Sequence, residues 1–434
     1  MQSLSLNPLR PWQAEAVQAW TLNGRGIVVA ATGTGKTRVG IEVARQSLLL
    51  GAKVLIVVPT IALLNQWESK IKTAGLVSPK FIGTMGGGGA GFRPEHQLVI
   101  SVLDSAKERG PNLVEIWRNQ NSKVAAIFDE CHNLKANECH ALLTSKFDFS
   151  LGLSATPSTT DGGFEELLTF AIGKIIYELP LRRALDEGLI GPLRLLDVYF
   201  DLKVAELHDH QIQSTTIEAR LERLRQRFPD APLDSELLQT LQRLARSDSQ
   251  AQSVLDLFEQ SRRLVSGSMA RLESLDKLIA AGAVGDRRTI FFNDNIERAE
   301  AVRLILIKVG LSVVIDHSKV APSARREALR RFASGAVQCL VAVRTVDEGI
   351  DVPDAELCVI VGGTFSRRQR VQRIGRVLRP ATQALVISLL ARGTGEEYLV
   401  GAGDEELVGS ERLRSCQIEA IIDGLEWLSS ASVE

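Results

Sequence analysis

The stretch GIVVAATGTGKT, residues 26–37, decides the fold of this chain. Five residues of strand length (26–30) run into a turn that carries Gly33, Thr34 and Gly35. Lys36 and Thr37 then open a helix-length segment. A strand that ends in a Gly-rich turn and feeds a helix is the setting in which a phosphate loop works. Ala30 stands at the usual first-glycine position of that pattern. The glycines let the backbone bend until its N–H groups, that of Thr34 among them, surround phosphates at the positive end of the helix. Lys36 would neutralise the β- and γ-phosphates, and Thr37 would coordinate Mg²⁺. The bland alternative, a chance match in a Gly-rich turn, leaves the flanking strand and helix unexplained.

Outward from this point, short apolar runs alternate with helix-length amphipathic segments. KVLIVVP (53–59), QLVIS (97–101), KVAAIF (123–128) and FSLGLS (149–154) continue the first series. RTIFFN (288–293), LSVVID (311–316), VQCLVAV (337–343), ELCVIVG (356–362) and ALVISLL (384–390) make a second. This alternation predicts an α/β fold with two parallel-sheet units covered by helices. We place them at 1–174 and 175–434. The rhythm breaks in 204–268, which has helical periodicity (IEARLERLRQRF, 217–228; LDSELLQTLQRLA, 233–245) and no strand-like run. That window holds eight Arg and no Lys against ten Asp and Glu, and reads as a helical insertion in the second unit. A spacer with no contact role is the competing reading. GGGGAG (86–91) reads as a flexible loop, since no strand leads into it and no Lys or Ser/Thr follows at phosphate-loop spacing.

The whole-chain balance of 51 Lys and Arg against 52 Asp and Glu, net charge -1, argues against a protein that passively coats nucleic acid. A phosphate-gripping groove would have to be a local cluster. Five Cys without framework spacing read as reduced thiols in an intracellular protein, cytoplasmic or nuclear. The start MQSLSLNPLRPW has no signal-peptide pattern, and no apolar run reaches the ~18 residues of a membrane span.

KVAAIFDECH (123–132) ends an apolar strand in two acids. Asp129 at the strand tip would hold Mg²⁺ through water, and Glu130 would activate the water that attacks the γ-phosphate. Cys131, His132, Cys139 and His140 raise a zinc reading, but adjacent Cys-His ligands sit awkwardly on a tetrahedron, and we expect no structural zinc.

The sequence DECH, downstream of the phosphate loop, resembles the DExD/H-box proteins of helicase superfamily 2. Other motifs of that family follow in order from about residue 9 to 400. Gln13 in LRPWQAEAV (9–17) matches the glutamine that reads the adenine edge, and VVPTIALLNQW (57–67) resembles motif Ia. SVLDSA (101–106) matches a motif that touches the track backbone. LSATP (153–157) matches motif III, TIFFNDNIERAE (289–300) motif IV, VAVRTVDEGIDVPD (341–354) motif V and QRIGRVLRP (372–380) motif VI. Among superfamily members, the chain looks most like the XPB/RadD-like group of DNA helicases. In that group an insertion at this place forms a thumb that grips the duplex, although 204–268 is not net basic here.

The resemblance implies two RecA-like domains with ATP seated between them. It assigns Lys36, Glu130, Arg376 and Arg379 to catalysis. Nucleotide contacts fall to Gln13, Gly33, Thr34, Gly35, Thr37, Gly349, Asp351 and Gln372, with Thr37 and Asp129 on Mg²⁺. His132, Ser154 and Thr156 would couple hydrolysis to domain movement. Thr60, Ser105 and Thr345 would contact the phosphates of the track. Independently of the family, Arg373, Arg376 and Arg379 lie three residues apart and drift slowly around one helical face, an arrangement suited to a phosphate transition state. Arg367, Arg368, Arg370 and Arg373 could instead form a solvated basic surface. DNA is favoured over RNA as partner, and the insertion could recruit a protein. A duplex translocase that never separates strands and an ATP-switched nucleic-acid sensor share these motifs. A nuclease would need a further cluster of acids with His or Lys, and none is evident.

Overall fold

The computed structural model describes residues 8–31, 33–86, 91–134, 136–155, 168–233, 237–343, 355–362, 370, 374, 383–397, 404 and 408–430. They form two compact units that divide between Ile190 and Gly191, each built on a seven-stranded sheet in which every pairing is parallel. No helix of the described residues is long and apolar enough to cross a membrane.

The first unit runs α1 (Pro11–Asn23), β1 (Arg25–Ala30), α2 (Lys36–Leu49), β2 (Ala52–Val58), α3 (Ile61–Ala74), β3 (Ile82–Met85), β4 (Leu98–Val102) and α4 (Leu103–Asn119). It continues with β5 (Lys123–Asp129), α5 (Ala136–Leu143), β6 (Phe149–Ser154), β7 (Ile175–Leu179) and α6 (Leu181–Asp186). The strand order is β3-β4-β2-β5-β6-β1-β7. β2 and β5 are buried at nearly every position, which is why they read as continuous apolar runs: helices cover both faces. Pro11 starts α1 where a missing N–H costs nothing, and Gly24 closes it in the left-handed region at φ +67°. The Trp20 indole then donates to Ser150 O at 2.9 Å and fastens α1 to β6.

The second unit runs β8 (Leu193–Phe200), α7 (Val204–Arg227), α8 (Leu237–Leu244), α9 (Ser249–Ser266), α10 (Met269–Ala280), β9 (Thr289–Asn293) and α11 (Ile296–Lys308). It ends with β10 (Val313–Asp316), α12 (Pro322–Ala333), β11 (Cys339–Val343), β12 (Leu357–Ile360), β13 (Ala384–Ala391), β14 (Leu413–Gln417) and α13 (Ile421–Ser429). The strand order is β10-β11-β9-β12-β13-β8-β14. Helices α7–α9 fill the window 204–268 and pack on one another through Ile217, Leu221, Leu224, Leu233, Leu241 and Val254. That cluster is separate from the sheet core, which α10 joins through Leu275 and Leu278. One carboxylate staples the two roots of the helical window: Glu206 accepts from Lys203 N at 3.0 Å and from Met269 N at 2.6 Å.

Two expectations need correction. Residues 175–190 fold with the first unit, because β7 pairs with β1, so the first unit extends beyond 174. Arg370 is no part of a solvated surface. It is 1% exposed, with Nη2 2.6 Å from Asp197 Oδ1 and 2.7 Å from Asp404 Oδ2, and Nη1 donating to Ser388 Oγ at 2.6 Å. Arg367, Arg368 and Arg373 lie outside the described residues.

Candidate nucleotide site

In a parallel sheet, the crevice beyond the carboxyl ends of the strands is where ligands bind. β1, β5 and β6 deliver their sequence-predicted residues to that edge. After β1 the chain turns through Gly33 at φ +86° and Gly35 at φ +100°, values at which a side chain is strained. A Cβ at Gly35 would lie 2.8 Å from Gln13 Nε2 and would push that side chain aside. Thr34 is buried, and its hydroxyl donates to Ala31 O at 2.7 Å to tighten the turn. Lys36 and Thr37 form the first turn of α2, Thr37 half-buried.

Lys36 is 7% exposed. Its ammonium donates to Ala30 O at 2.8 Å and stands 3.9 Å from Glu130 Oε1. The loop lysine and the acid after β5 are therefore neighbours. Glu130 adopts φ +49°, uncommon for a residue with a side chain, where the chain leaves β5 for a short 3₁₀ turn. Asp129 ends β5. Its Oδ2 accepts from Trp67 Nε1 at 2.7 Å, and its Oδ1 accepts from Glu130 N at 3.1 Å. Burial pushes the Asp129 carboxyl up to about 6, and the adjacent Glu130 charge adds to the push, against the pull of the Trp67 indole and Lys36. Two neighbouring acids, one of them buried and reluctant to ionise, fit a divalent cation that would neutralise them.

His132 Nδ1 lies 3.0 Å from Ser154 Oγ at the end of β6 and 3.5 Å from Glu130 Oε2, so two of the three expected coupling residues meet beside the acid. Gln13 sits against the loop, donating to Gly35 O at 3.2 Å and accepting from Arg10 N at 3.0 Å. Thr60 caps α3, its hydroxyl accepting from Leu63 N at 3.3 Å, and Ser105 lies half-buried in the first turn of α4. Cys131 and Cys139 pack in the hydrophobic core of the first unit. Thr156, Thr345, Gly349, Asp351, Gln372, Arg376 and Arg379 lie outside the described residues. Sequence reasoning missed Trp67, although it closes the quoted motif Ia stretch. A tryptophan on an amphipathic helix reads as core, and nothing in its spacing points to Asp129.

Two family models match the chain: the res subunit of type III restriction enzymes over residues 7–159, and the helicase conserved C-terminal domain over 270–381. A DNA 3'-5' translocase XPB2 of Sulfurisphaera tokodaii is 31% identical over 90% of this chain and 83% of its own length. The chain belongs to the XPB-like family of superfamily 2 helicases. It is thus an ATP-hydrolysing helicase-type enzyme. A DNA 3'-5' helicase XPB of Mycobacterium tuberculosis is 26% identical over 88% of this helicase, which spans 61% of that longer protein. Among solved structures, yeast Dbp5 bound to RNA and ADP BeF3 aligns with TM-score 0.58 at 13% identity, covering 96% of this chain and 92% of that one. The Pyrococcus furiosus Hef helicase domain aligns with TM-score 0.53 at 18% identity, covering 89% and 97%. At such identities the likeness shows the fold, two RecA-like domains in tandem.

Proposed function

We propose that this helicase is a DNA motor, using ATP hydrolysis to move along or unwind its track. The observation that carries the reading is the grouping at the carboxyl edge of the first sheet: a phosphate loop, Lys36 at 3.9 Å from Glu130, and a buried Asp129 beside them. Phosphoryl transfer needs charge neutralisation and an aligned water more than covalent chemistry, and this set supplies both. Gly33, Thr34 and Gly35 cradle the phosphates, while Lys36 neutralises their charge. Thr37 and Asp129 would hold Mg²⁺, which would supply positive charge to neutralise the phosphates. Glu130 orients and deprotonates the attacking water. Gln13 meets the adenine. Gly349, Asp351, Gln372, Arg376 and Arg379 keep their sequence assignments to the nucleotide, the two arginines as the stabilisers of developing phosphate charge.

His132, Ser154 and Thr156 form the coupling group, of which the His132–Ser154 contact is the described part. Thr60, Ser105 and Thr345 grip track phosphates, contacts that fix position without reading bases, so activity should depend little on sequence. The window 204–268 serves as a duplex-gripping thumb or as the place where a protein partner docks. The S. tokodaii relative is named a translocase, which favours a second reading, movement on duplex DNA without strand separation. ATP turnover measured side by side with single-stranded DNA, duplex DNA and RNA tests the main proposal. Stimulation by RNA alone, or by none of the three, overturns it. Strand displacement measured beside triplex displacement separates unwinding from translocation.

A further inference from the structure

Trp67 lies two turns into α3 and is fully buried. Its indole N–H donates to one Asp129 oxygen at 2.7 Å, while the backbone N–H of Glu130 donates to the other at 3.1 Å. The carboxylate is therefore oriented from two sides, and one of those sides belongs to a different helix. The far edge of the indole is pinned as well: a Cβ on Gly40 of α2 would stand 2.5 Å from Trp67 Cη2. The ring thus fills the space between the helix that follows the phosphate loop and the strand that carries the metal-binding acid. Close-packed interiors transmit small displacements instead of absorbing them, and an indole held at both ends cannot tilt independently of its helix.

Thr60 caps the N-terminal end of α3, seven residues before Trp67 or about 10 Å along the helix axis. We propose that α3 is a lever. Engagement of nucleic acid at its Thr60 end shifts Trp67, and Trp67 acts as a positioning residue that sets the Asp129 carboxylate for the metal–nucleotide. The lever rests on the reading above that Thr60 touches the track. The hold of Trp67 on Asp129 rests on the geometry alone.

The test is Trp67→Phe in the full chain, which keeps an aromatic ring over Gly40 and removes the N–H. Two quantities are read: the dissociation constant of a fluorescent ATP analogue with Mg²⁺ and with EDTA, and ATP turnover with and without saturating DNA. Binding in EDTA should hold within about twofold, while the gain in affinity on adding Mg²⁺ should shrink roughly tenfold, or about 1.4 kcal/mol for one hydrogen bond to a charged group. The ratio of DNA-stimulated to basal turnover should fall as well. Gly40→Ala, a helix-favouring change that pushes the ring while leaving its N–H intact, should lower both readouts in the same direction, and a thermal melt verifies that each variant is folded. An unchanged Mg²⁺ gain in both variants overturns the role of Trp67. A lost Mg²⁺ gain with undiminished DNA stimulation overturns the lever. Absence of DNA stimulation in the parent protein refutes the functional reading and the lever together, and the binding measurement still decides the Trp67–Asp129 link.

Discussion

Replacing Arg370 with methionine should unfold the second unit well before the parent does, and the loss should depend on pH. Arg370, 1% exposed, is the cation of a buried cluster in which Asp197 and Asp404 are the acids, 2% and 1% exposed. Both carboxylates stand within 2.7 Å of its Nη2. Methionine fills much of the volume and supplies no charge, which leaves two buried carboxylates facing each other. Removing one partner of a buried ion pair typically costs about 3–5 kcal/mol. For a unit of this size that lowers the melting transition by roughly 10 °C.

The sign of the pH effect follows from the orphaned acids. In the variant the two buried carboxylates face each other with no cation between them, so charging both costs the fold and neutralising them relieves it: the deficit grows as pH rises. The variant should therefore sit furthest below the parent at pH 8 and recover part of the gap by pH 5.5. The triple variant R370M/D197N/D404N should regain most of it at both. Differential scanning calorimetry of the full chain reads all of this. A midpoint within about 2 °C of the parent at pH 8, or a deficit that stays constant with pH, would show that the cluster is not an electrostatic anchor. Because Arg370 precedes Arg376 by six residues, a folded fraction of the variant should also turn over ATP more slowly.

Lys36→Ala and Glu130→Gln should each lose nucleic-acid-stimulated ATP turnover by about 100-fold or more, as removal of a main charge stabiliser or base does, and normal turnover in either would undo the site assignment. Asp129→Asn should abolish turnover, and the stability of the nucleotide-free variant relative to the parent should improve between pH 4 and pH 8, whatever the asparagine loses by offering one acceptor to the two N–H donors. The carboxyl, raised from its ordinary 3.8 to about 6, contributes most below its unfolded value and loses that contribution as pH climbs through about 6. The rise corresponds to up to about 3 kcal/mol. A melt in which the asparagine variant gains nothing on the parent between pH 4 and pH 8 contradicts this. Gly35→Ala should lower stability by roughly 1–2 kcal/mol through its left-handed φ, and weaken ATP binding further by displacing Gln13; an unaltered nucleotide dissociation constant would remove Gln13 from the site.

The central strands were legible because parallel strands covered on both faces must be apolar nearly throughout, and β2, β5 and β13 are. β8 was not legible, and its residues explain why. LRLLDVYF carries Arg194 and Asp197 inside a buried strand, and both charges are satisfied by partners far along the chain. Asp197 meets Arg370, and Arg194 donates to Trp427 O and Ser430. No local pattern announces partners 173 and 236 residues away. β14, LRSCQ, pairs only with β8 among the described strands and is half-exposed, so it lacks the apolar run. β7 escaped notice for a similar reason, and with it the true limit of the first unit. The residues grouped in the candidate nucleotide site were easier to pick out, because what draws the eye to them is local: a bend, a lysine and a pair of acids, each next to a strand end.

Those same residues are where the fold departs from its own best interest. Glu130 holds φ +49°, Gly33 and Gly35 occupy left-handed backbone, and Asp129 resists ionisation in its buried place. Glycine takes that backbone freely, but a side chain held there, as at Glu130, costs about 1–3 kcal/mol and persists only where neighbours over-determine it. Here they do: Asn133 N donates to Glu130 O at 2.9 Å, Glu130 N to Asp129 at 3.1 Å, and Trp67 closes the other side. A fold selected for stability alone would place glycine at 130 and a neutral side chain at 129. Under the proposed function the acids stay because a divalent cation, when held by Asp129, would repay the electrostatic part of that cost.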